Sequence, residues 1–376
     1  MARIRFALRS LAKAPLLSLV VVVSLGLGIG ANTAIFSLMH QIILRSLPVE
    51  KPENLVLLTS PGEFKGGRNS TSDGGGMDYI FSYRMFRELE KRAQGVTGVA
   101  AFRLIGAKLA FGKQTVPDGV LVASGGYFPV LGVKPLLGRT LSPEDDVDGA
   151  GNAVALLGYG YWHDKLGGET SVLNQPIRIN GQVFTVVGVA PKGFTGTTLG
   201  DEAAAYVPVC FKPRLTPEWT SVDRWDDYWL YLVARLKPGV GPAQAAAALN
   251  GPYGALLEQQ SKGSQFYYQK QLDRFLKSRL TLKNGSRGHS SMQDESRIRL
   301  IILMTATGLV LLIAMANAAT LLLARSAQRR RELAIRAAMG AGRGELMAQL
   351  LTEALLLALA GGLAGLLKSA WPRCGC

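Results

Sequence analysis

The chain has 376 residues, 48% of them hydrophobic, and its mean hydropathy is +0.17. This composition is more apolar than that of most soluble proteins and is sufficient for one soluble domain with a few membrane spans. The net charge of +15 would suit nucleic acid, but residues 50–295 contain 27 basic and 24 acidic residues. Because the excess of positive charge flanks apolar runs instead of being interleaved with aromatic residues, the pattern argues against nucleic acid as a partner.

Residues 1–15 form a basic segment ahead of the first apolar run. Apolar and basic side chains alternate here at helical spacing, and Pro15 ends the pattern. The pattern predicts a cytoplasmic amphipathic helix at the membrane interface, with a simple basic targeting tail as the alternative. The residues on the two faces are Ile4, Leu8 and Leu11, and Arg5, Arg9 and Lys13.

Residues 16–44 contain no Asp, Glu, Lys or Arg and are long enough to cross a bilayer. A cleaved signal peptide is the main alternative, but its apolar region is typically about 7 to 15 residues long. The length of this run therefore favours an uncleaved first transmembrane helix.

Residues 46–296 have the mixed pattern of an α+β domain. Short runs rich in β-branched and aromatic residues predict strands, and two longer runs predict helices. The second helix contains Gly251 and Pro252, where we expect an interruption. The predicted strands are 54–59, 153–157, 184–190 and 228–236, the helices are 81–93 and 242–260, and flexible stretches are expected at 62–76 and 284–294.

Two further apolar runs follow this domain. Residues 300–324 predict a second transmembrane helix, and residues 346–367, with Glu353 inside, predict a third. By the positive-inside rule, the basic residues before the first helix and those of 325–345 face the cytoplasm. The intervening domain is then extracytoplasmic, and residues 368–376 form a tail.

Glycines recur within the apolar runs. The stretch from Gly26 to Ala31 matches a dinucleotide fingerprint, but it lies inside a continuous span, so cofactor binding is not predicted. Gly26 and Gly30, like Gly361 and Gly365, have the four-residue spacing that lets membrane helices approach closely. We therefore predict that these four glycines serve in helix packing.

The sequence offers no motif for catalysis or for metal and cofactor binding. It contains no phosphate-binding loop of the Gly-xxxx-Gly-Lys-Ser/Thr type, so ATP hydrolysis would have to come from a partner. The histidines are far apart in the sequence, and the cysteines suggest neither a disulfide framework nor a zinc site. These residues are His40, His163 and His289, and Cys210, Cys374 and Cys376.

The most informative segment runs from residue 324 to 343 and reads ARSAQRRRELAIRAAMGAGR. It resembles the cytoplasmic segment that follows the second membrane helix in MacB-like and FtsX-like permeases of ATP-binding cassette (ABC) transporters, where a helix contacts the ATPase. A basic juxtamembrane stop signal with ordinary surface ion pairs is the alternative. The resemblance implies an ATPase-coupling site at Arg331, Glu332, Ile335, Arg336, Gly340, Ala341 and Arg343.

The resemblance continues over most of the chain, at 9–15, 25–32, 127–139, 161–162 and 175–189. It is similar to the duplicated MacB-like permeases of acidobacterial type. The resemblance implies a membrane protein with α-helical transmembrane segments and a large α+β extracytoplasmic domain of the MacB-like periplasmic core type. A complete module of this family has four membrane helices, so the chain is expected to be truncated after the third.

Function follows from the same resemblance. It implies a multi-pass permease of the bacterial inner membrane that forms a homodimer or pseudo-dimer. By mechanotransmission it would couple a separate ABC ATPase to export, efflux or extraction of a substrate. A non-transporting FtsX-like regulator of cell-wall hydrolases is one alternative, and a membrane-tethered adhesion or solute-binding domain without an ATPase is another.

Overall fold

The computed structural model describes residues 15–39, 46–62, 68–71, 76–112, 114–198, 202–219, 224–262, 268–289 and 291–328, together with residues 335, 344, 348, 352, 355–356 and 358–363. Contacts within the chain divide it into two units. One unit comprises Met1–Ile43 with Glu295–Cys376, and the other is Leu44–Asp294.

The described residues of both units contain α-helices and β-strands. The helices are α1 (Pro15–Met39), α2 (Tyr83–Arg92), α3 (Tyr127–Leu131), α4 (Lys212–Leu215), α5 (Pro242–Ser261), α6 (Gln269–Leu276) and α7 (Ser291–Gln328). The strands are β1 (Leu55–Thr59), β2 (Arg68–Asn69), β3 (Ile80–Ser82), β4 (Val96–Phe111), β5 (Gln114–Ala123), β6 (Leu137–Gly138), β7 (Val154–Leu157), β8 (Pro176–Ile179), β9 (Gln182–Val189), β10 (Ala205–Pro208), β11 (Asp227–Leu236) and β12 (Thr281–Asn284).

Two of the described helices have the length and composition of membrane spans. They contain the apolar stretches Ser18–Met39 and Ile298–Leu321. Large aliphatic side chains point outward on both helices, whereas the core helix of a soluble protein would bury them. The exposed residues include Leu16, Leu19, Val23 and Leu27 on α1, and Ile302, Leu309, Val310, Leu312 and Ile313 on α7.

Helix α7 begins earlier than the sequence pattern indicates. The prediction of a flexible stretch at 284–294 is wrong, because the helix starts at Ser291 and residues 285–289 are hydrogen-bonded. The amide of Gly285 donates to Leu55 O at 2.8 Å and that of His289 to Thr197 O at 2.7 Å. Extension of an existing helix adds one hydrogen bond for each residue fixed, so the polar residues after Ser291 join the apolar helix at little cost.

The unit Leu44–Asp294 is built on one mixed sheet. Its strands lie in the order β12-β1-β11-β4-β5-β10-β7-β9-β6, while β2 and β3 pair with β11, and β8 pairs with β4 and β9. The β5–β10 and β7–β9 pairs are parallel, whereas β4 and β5 form a long antiparallel hairpin. The four predicted strands correspond to β1, β7, β9 and β11, and all four are confirmed.

The core of this unit lies between the sheet and its helices. Helix α2 starts where the Ser82 hydroxyl accepts a hydrogen bond from the Met85 amide, and it buries Met85, Phe86 and Leu89. Strand β11 is buried along nearly its whole length, as expected for a strand in the middle of a covered sheet. The α+β fold predicted for this part of the chain is confirmed.

Helix α5 is continuous through Pro252, so the predicted interruption is wrong. A proline inside a helix removes one backbone hydrogen bond and costs about 3 kcal/mol. Burial of Leu249, Tyr253 and Leu257 on both sides of the proline offsets that cost, because each fully buried large side chain stabilises by about 1.5 to 3 kcal/mol.

Candidate functional site

The membrane helices α1 and α7 meet at a polar contact surrounded by apolar residues. The side-chain amide of Asn32 donates to Gly28 O and to Thr307 O, both at 3.0 Å. The Thr307 hydroxyl donates in turn to Asn32 Oδ1 at 3.3 Å. Because a polar group without a partner is costly in hydrocarbon, this reciprocal pair stabilises one alignment of the two helices.

Small residues allow α1 to approach its neighbours. A Cβ atom on Gly28 would lie 2.8 Å from Leu311 Cδ1 on α7. A Cβ on Gly361 would lie 2.9 Å from Leu25 Cβ and 3.5 Å from the Gly26 amide nitrogen. A larger residue at position 361 would therefore push the helices apart, whereas a larger residue at position 28 would first displace the Leu311 side chain.

The structure thus brings two of the predicted packing glycines, Gly26 and Gly361, close together. Gly30 lies in α1 and is half-buried, and Gly365 is outside the described residues. Gly28 was not among the predicted packing positions, although it stands in the same glycine-rich run. The four-residue spacing alone did not single it out.

One residue of the predicted coupling site, Ile335, lies in the described part of the chain. Ile335 is helical, and 61% of its surface is exposed. An aliphatic side chain with so large an exposed surface is available for contact with another molecule. The other residues of the predicted coupling site, which lie outside the described part of the chain, are Arg331, Glu332, Arg336, Gly340, Ala341 and Arg343.

Inside the large unit, a buried carboxylate connects three separate segments. Asp146 is 3% exposed and accepts hydrogen bonds from the amides of Gly125 and Cys210, at 3.1 and 2.9 Å. The Arg87 guanidinium lies 3.0 Å from Asp146 Oδ2, the oxygen that also accepts from the Gly125 amide. Burial raises the pKa of this carboxyl, while Arg87 and the two amides favour its ionised form.

The neighbouring carboxylate, Asp145, closes the adjacent turn. It accepts two hydrogen bonds from Arg139, at 2.6 and 3.0 Å, and forms a reciprocal cap with Ser142. Burial opposes ionisation, but the hydrogen bonds from Arg139, Ser142 and Asn152 outweigh it and lower the pKa of Asp145. Two adjacent aspartates therefore fix the loop on which the Arg87 contact depends.

Lys212 is fully buried between two tryptophans. Its Nζ lies 3.6 Å from the ring centroid of Trp219 and 4.8 Å from that of Trp229, and it donates to Trp219 O at 2.5 Å. Burial lowers the pKa of Lys212 to about 7; Arg68 and Arg103 add to this effect, and Asp227 opposes it. The cation–π contacts with both rings and the hydrogen bond to Trp219 O stabilise the protonated fraction of this buried amine.

His289 is buried in the core, and Cys210 is half-buried and packs against it. The His289 ring is 2% exposed and lies 4.0 Å from the Tyr231 ring and 4.9 Å from the Tyr79 ring. Burial and Arg103 lower the pKa of His289 to about 4, and burial raises the pKa of the Cys210 thiol to about 12. Within the described ranges, no group of three or more His, Cys, Asp or Glu residues could hold a metal ion.

These features define the class of the protein: two apolar helices flank a large α+β domain that has its own core. The MacB-like periplasmic core domain family matches residues 18–251, and the FtsX-like permease C-terminal family matches residues 304–371. The first match alone covers more than half of the chain. The chain belongs to the family of MacB-like and FtsX-like permeases, and it is a membrane protein with an extracytoplasmic domain.

Three relatives share similar sequences. An uncharacterised ABC transporter permease, YknZ of Bacillus subtilis, is 26% identical over 73% of this chain and 62% of its own length. The pyoverdine export ATP-binding/permease protein PvdT of Pseudomonas syringae is 27% identical over 64% of this chain and 33% of its own length. The macrolide export ATP-binding/permease protein MacB of Chromobacterium violaceum is 26% identical over 70% of this chain and 36% of its own length. The matched part of the chain spans between one third and just under two thirds of these relatives.

Solved structures of isolated domains are also similar. The extracellular domain of the transporter YknZ from Gram-positive bacteria is 17% identical, with a TM-score of 0.40 over 61% of this chain and 100% of that domain. The periplasmic region of MacB from Actinobacillus actinomycetemcomitans is 17% identical, with a TM-score of 0.41 over 67% of this chain and 94% of that region.

Proposed function

We propose that the chain is the transmembrane subunit of an ABC transporter, coupling a separate ATPase to its extracytoplasmic domain for export or extraction of a substrate. The single observation that carries the proposal is the order of the family matches. A MacB-like core domain precedes an FtsX-like permease region in one chain, and apolar helices lie at the boundaries. The relatives whose names mention export contain both ATP-binding and permease parts.

The proposed topology places residues 46–296 outside the cytoplasm and residues 1–15 and 325–345 inside it. Helices at 16–44, 300–324 and 346–367 span the inner membrane of a bacterium. The distribution of arginine supports this arrangement, since six arginines lie between the second and third spans. Short segments rich in Lys and Arg resist translocation, whereas the nearly charge-balanced domain tolerates it.

The proposed coupling surface is the helix that contains Glu332, Ile335 and Arg336. Glu332 and Arg336 are four residues apart in the order that favours an ion pair on one helical face. Ile335 adds an exposed apolar contact to that region. When ATP binding brings the two ATPase subunits together, the ATPase would exert force on this helix. Two permease modules, as a homodimer or pseudo-dimer, would each contact one ATPase subunit.

Charge reversal in the coupling segment tests this proposal. Purification of the tagged full chain from its native membrane is expected to retain an ABC ATPase, which mass spectrometry identifies. Glu332→Lys and Arg336→Glu are each expected to reduce the retained ATPase at least fivefold, because an interface charge that meets its own sign is repelled. Arg329→Glu, which makes the same charge change as Arg336→Glu outside the predicted contact residues, is the matched control.

The double variant Glu332→Lys with Arg336→Glu separates two explanations. It restores the ion pair within the helix but presents the opposite charges to a partner. If the residues only stabilise the helix, the double variant recovers ATPase binding. If they contact the ATPase, binding stays low; retention of the ATPase by both single variants at the wild-type level would contradict the proposal.

A further inference from the structure

A groove runs between the membrane helices α1 and α7, on the half of α7 that is nearer the arginine-rich segment. Its volume is about 280 Å³. Small side chains form its floor, since Ala314 and Ala318 are each 8% exposed and Val21 packs with Ala318. Asn317 lines the same groove and is exposed. Because both walls belong to membrane spans, either lipid or another membrane helix covers the groove.

Asn317 is a polar side chain without a partner at this groove. The hydroxyls of Thr305 and Thr320 on the same helix each donate to the carbonyl oxygen one turn earlier, at 2.8 Å. The Asn317 side chain makes no hydrogen bond to any residue that the structure describes. It lies eight residues before Arg325, or about 12 Å along the helix, so its short side chain does not extend to the headgroups. Lipid tails would leave this amide unpaired, which favours a helix with a polar side chain as the occupant.

The described part of the third apolar run lies on another side of α1. Gly361 contacts α1 at Leu25 and Gly26. The groove lies beside Val20 and Ser24 instead. At 3.6 residues per turn, these two pairs of positions face nearly opposite directions, so the helix that contains Gly361 does not cover the groove.

We propose that a second copy of the chain covers this groove, and that the Asn317 amides of the two protomers hydrogen-bond to each other. This contact rests on the permease homodimer of the proposed function and specifies the surface through which it forms. Two copies that cross the membrane in the same direction are related by a two-fold axis along the membrane normal, so a residue near that axis meets its own copy. An amide has both donors and an acceptor, and two identical amides therefore satisfy each other. Hydrogen bonds of this kind between helices stabilise their association in membranes.

Cysteine cross-linking of the full chain in native membranes tests this contact. In a chain whose three cysteines are replaced by serine, Thr320→Cys adds one thiol at the groove, one turn from Asn317, and leaves the amide in place. Mild oxidation is expected to give a disulfide-linked homodimer, in which mass spectrometry finds this chain alone. The matched control is Ala319→Cys, an exposed position two residues from Asn317 and therefore on the other side of the helix, which is expected to stay monomeric.

Substitution of Asn317 in the Thr320→Cys chain tests the amide itself. Asn317→Leu has a similar size but no hydrogen-bonding group, and it is expected to reduce the cross-linked fraction at least fivefold. Asn317→Gln keeps an amide, and it is expected to retain most of the cross-linking. Equal thermal unfolding of the three proteins shows that the fold is intact.

Three results would overturn the proposal: no homodimer from Thr320→Cys, an equal yield from Ala319→Cys, or an unchanged yield after Asn317→Leu. Retention of the ATPase is measured separately, with the Glu332 and Arg336 variants. A chain that retains the ATPase but gives no cross-link contradicts the Asn317 contact alone. A cross-linked homodimer that retains no ATPase contradicts the proposed function and leaves the contact standing.

Discussion

Replacement of Asp146 by alanine is expected to lower the free energy of unfolding of the extracytoplasmic domain by about 3 to 5 kcal/mol. The substitution leaves Arg87, whose side chain is 17% exposed, without its buried counter-ion at 3.0 Å. It also removes the acceptor for the amides of Gly125 and Cys210. Chemical denaturation of a domain that comprises residues 46–289, followed by tryptophan fluorescence, measures the loss.

Asp148→Ala is the matched control for this prediction. Asp148 lies 3.5 Å from the same Arg87 guanidinium, but its side chain is 64% exposed. An exposed ion pair contributes less than about 1 kcal/mol, since water screens it and competes for both partners. Similar losses in the two variants would show that burial of Asp146 has no special importance for the fold.

The stability of the same domain is expected to rise by about 1 to 2 kcal/mol between pH 7 and pH 8.5 because of Lys212. Its pKa is about 7 in the folded domain and 10.5 in the unfolded chain, so over this interval the unfolded state holds more protons. Each increase in pH then favours the folded state, because the amine holds less of its proton there than in the unfolded chain. Below pH 7 the cost of burying the charged amine is present in full.

Urea denaturation at the two pH values measures this effect. In Lys212→Met the rise with pH is expected to disappear, because methionine occupies a similar volume and has no proton to release. Lys192→Met, at an exposed position, is expected to retain it. A wild-type domain whose stability stays constant or falls between pH 7 and 8.5 would contradict the assignment of a neutral amine between Trp219 and Trp229.

Hydrophobic patterning predicted much of the fold, but not the interior charges. Strand β11 and helix α2 are visible in the sequence because their apolar residues repeat at the spacing of the element. The β4–β5 hairpin, by contrast, contains Gly98, Gly106 and many alanines, which weaken a strand signal that long-range pairing restores. For Pro252 the local rule failed, because packing on both sides of the proline maintains the helix.

The buried polar sites lacked any sequence signal. Lys212 and Asp146 lie in short polar runs that usually face solvent, and only the fold brings Trp219, Trp229 and Arg87 around them. The family resemblance supplied the coupling residues, and these stay a prediction. The spacing of the glycines indicated that these helices pack closely. The glycine that contacts α7 is nevertheless Gly28, because the neighbouring helices set the rotation of a helix about its axis.

The large domain and the arginine-rich segment are proposed to lie on opposite sides of one membrane, and labelling of single cysteines tests this topology most directly. After replacement of Cys210, Cys374 and Cys376 by serine, a cysteine is placed at Asp164 or at Ile335, both of which are exposed. A membrane-impermeant maleimide is expected to label Asp164→Cys in spheroplasts and Ile335→Cys only in inverted vesicles. Labelling of Asp164→Cys solely in inverted vesicles would contradict the topology and, with it, the proposed permease function.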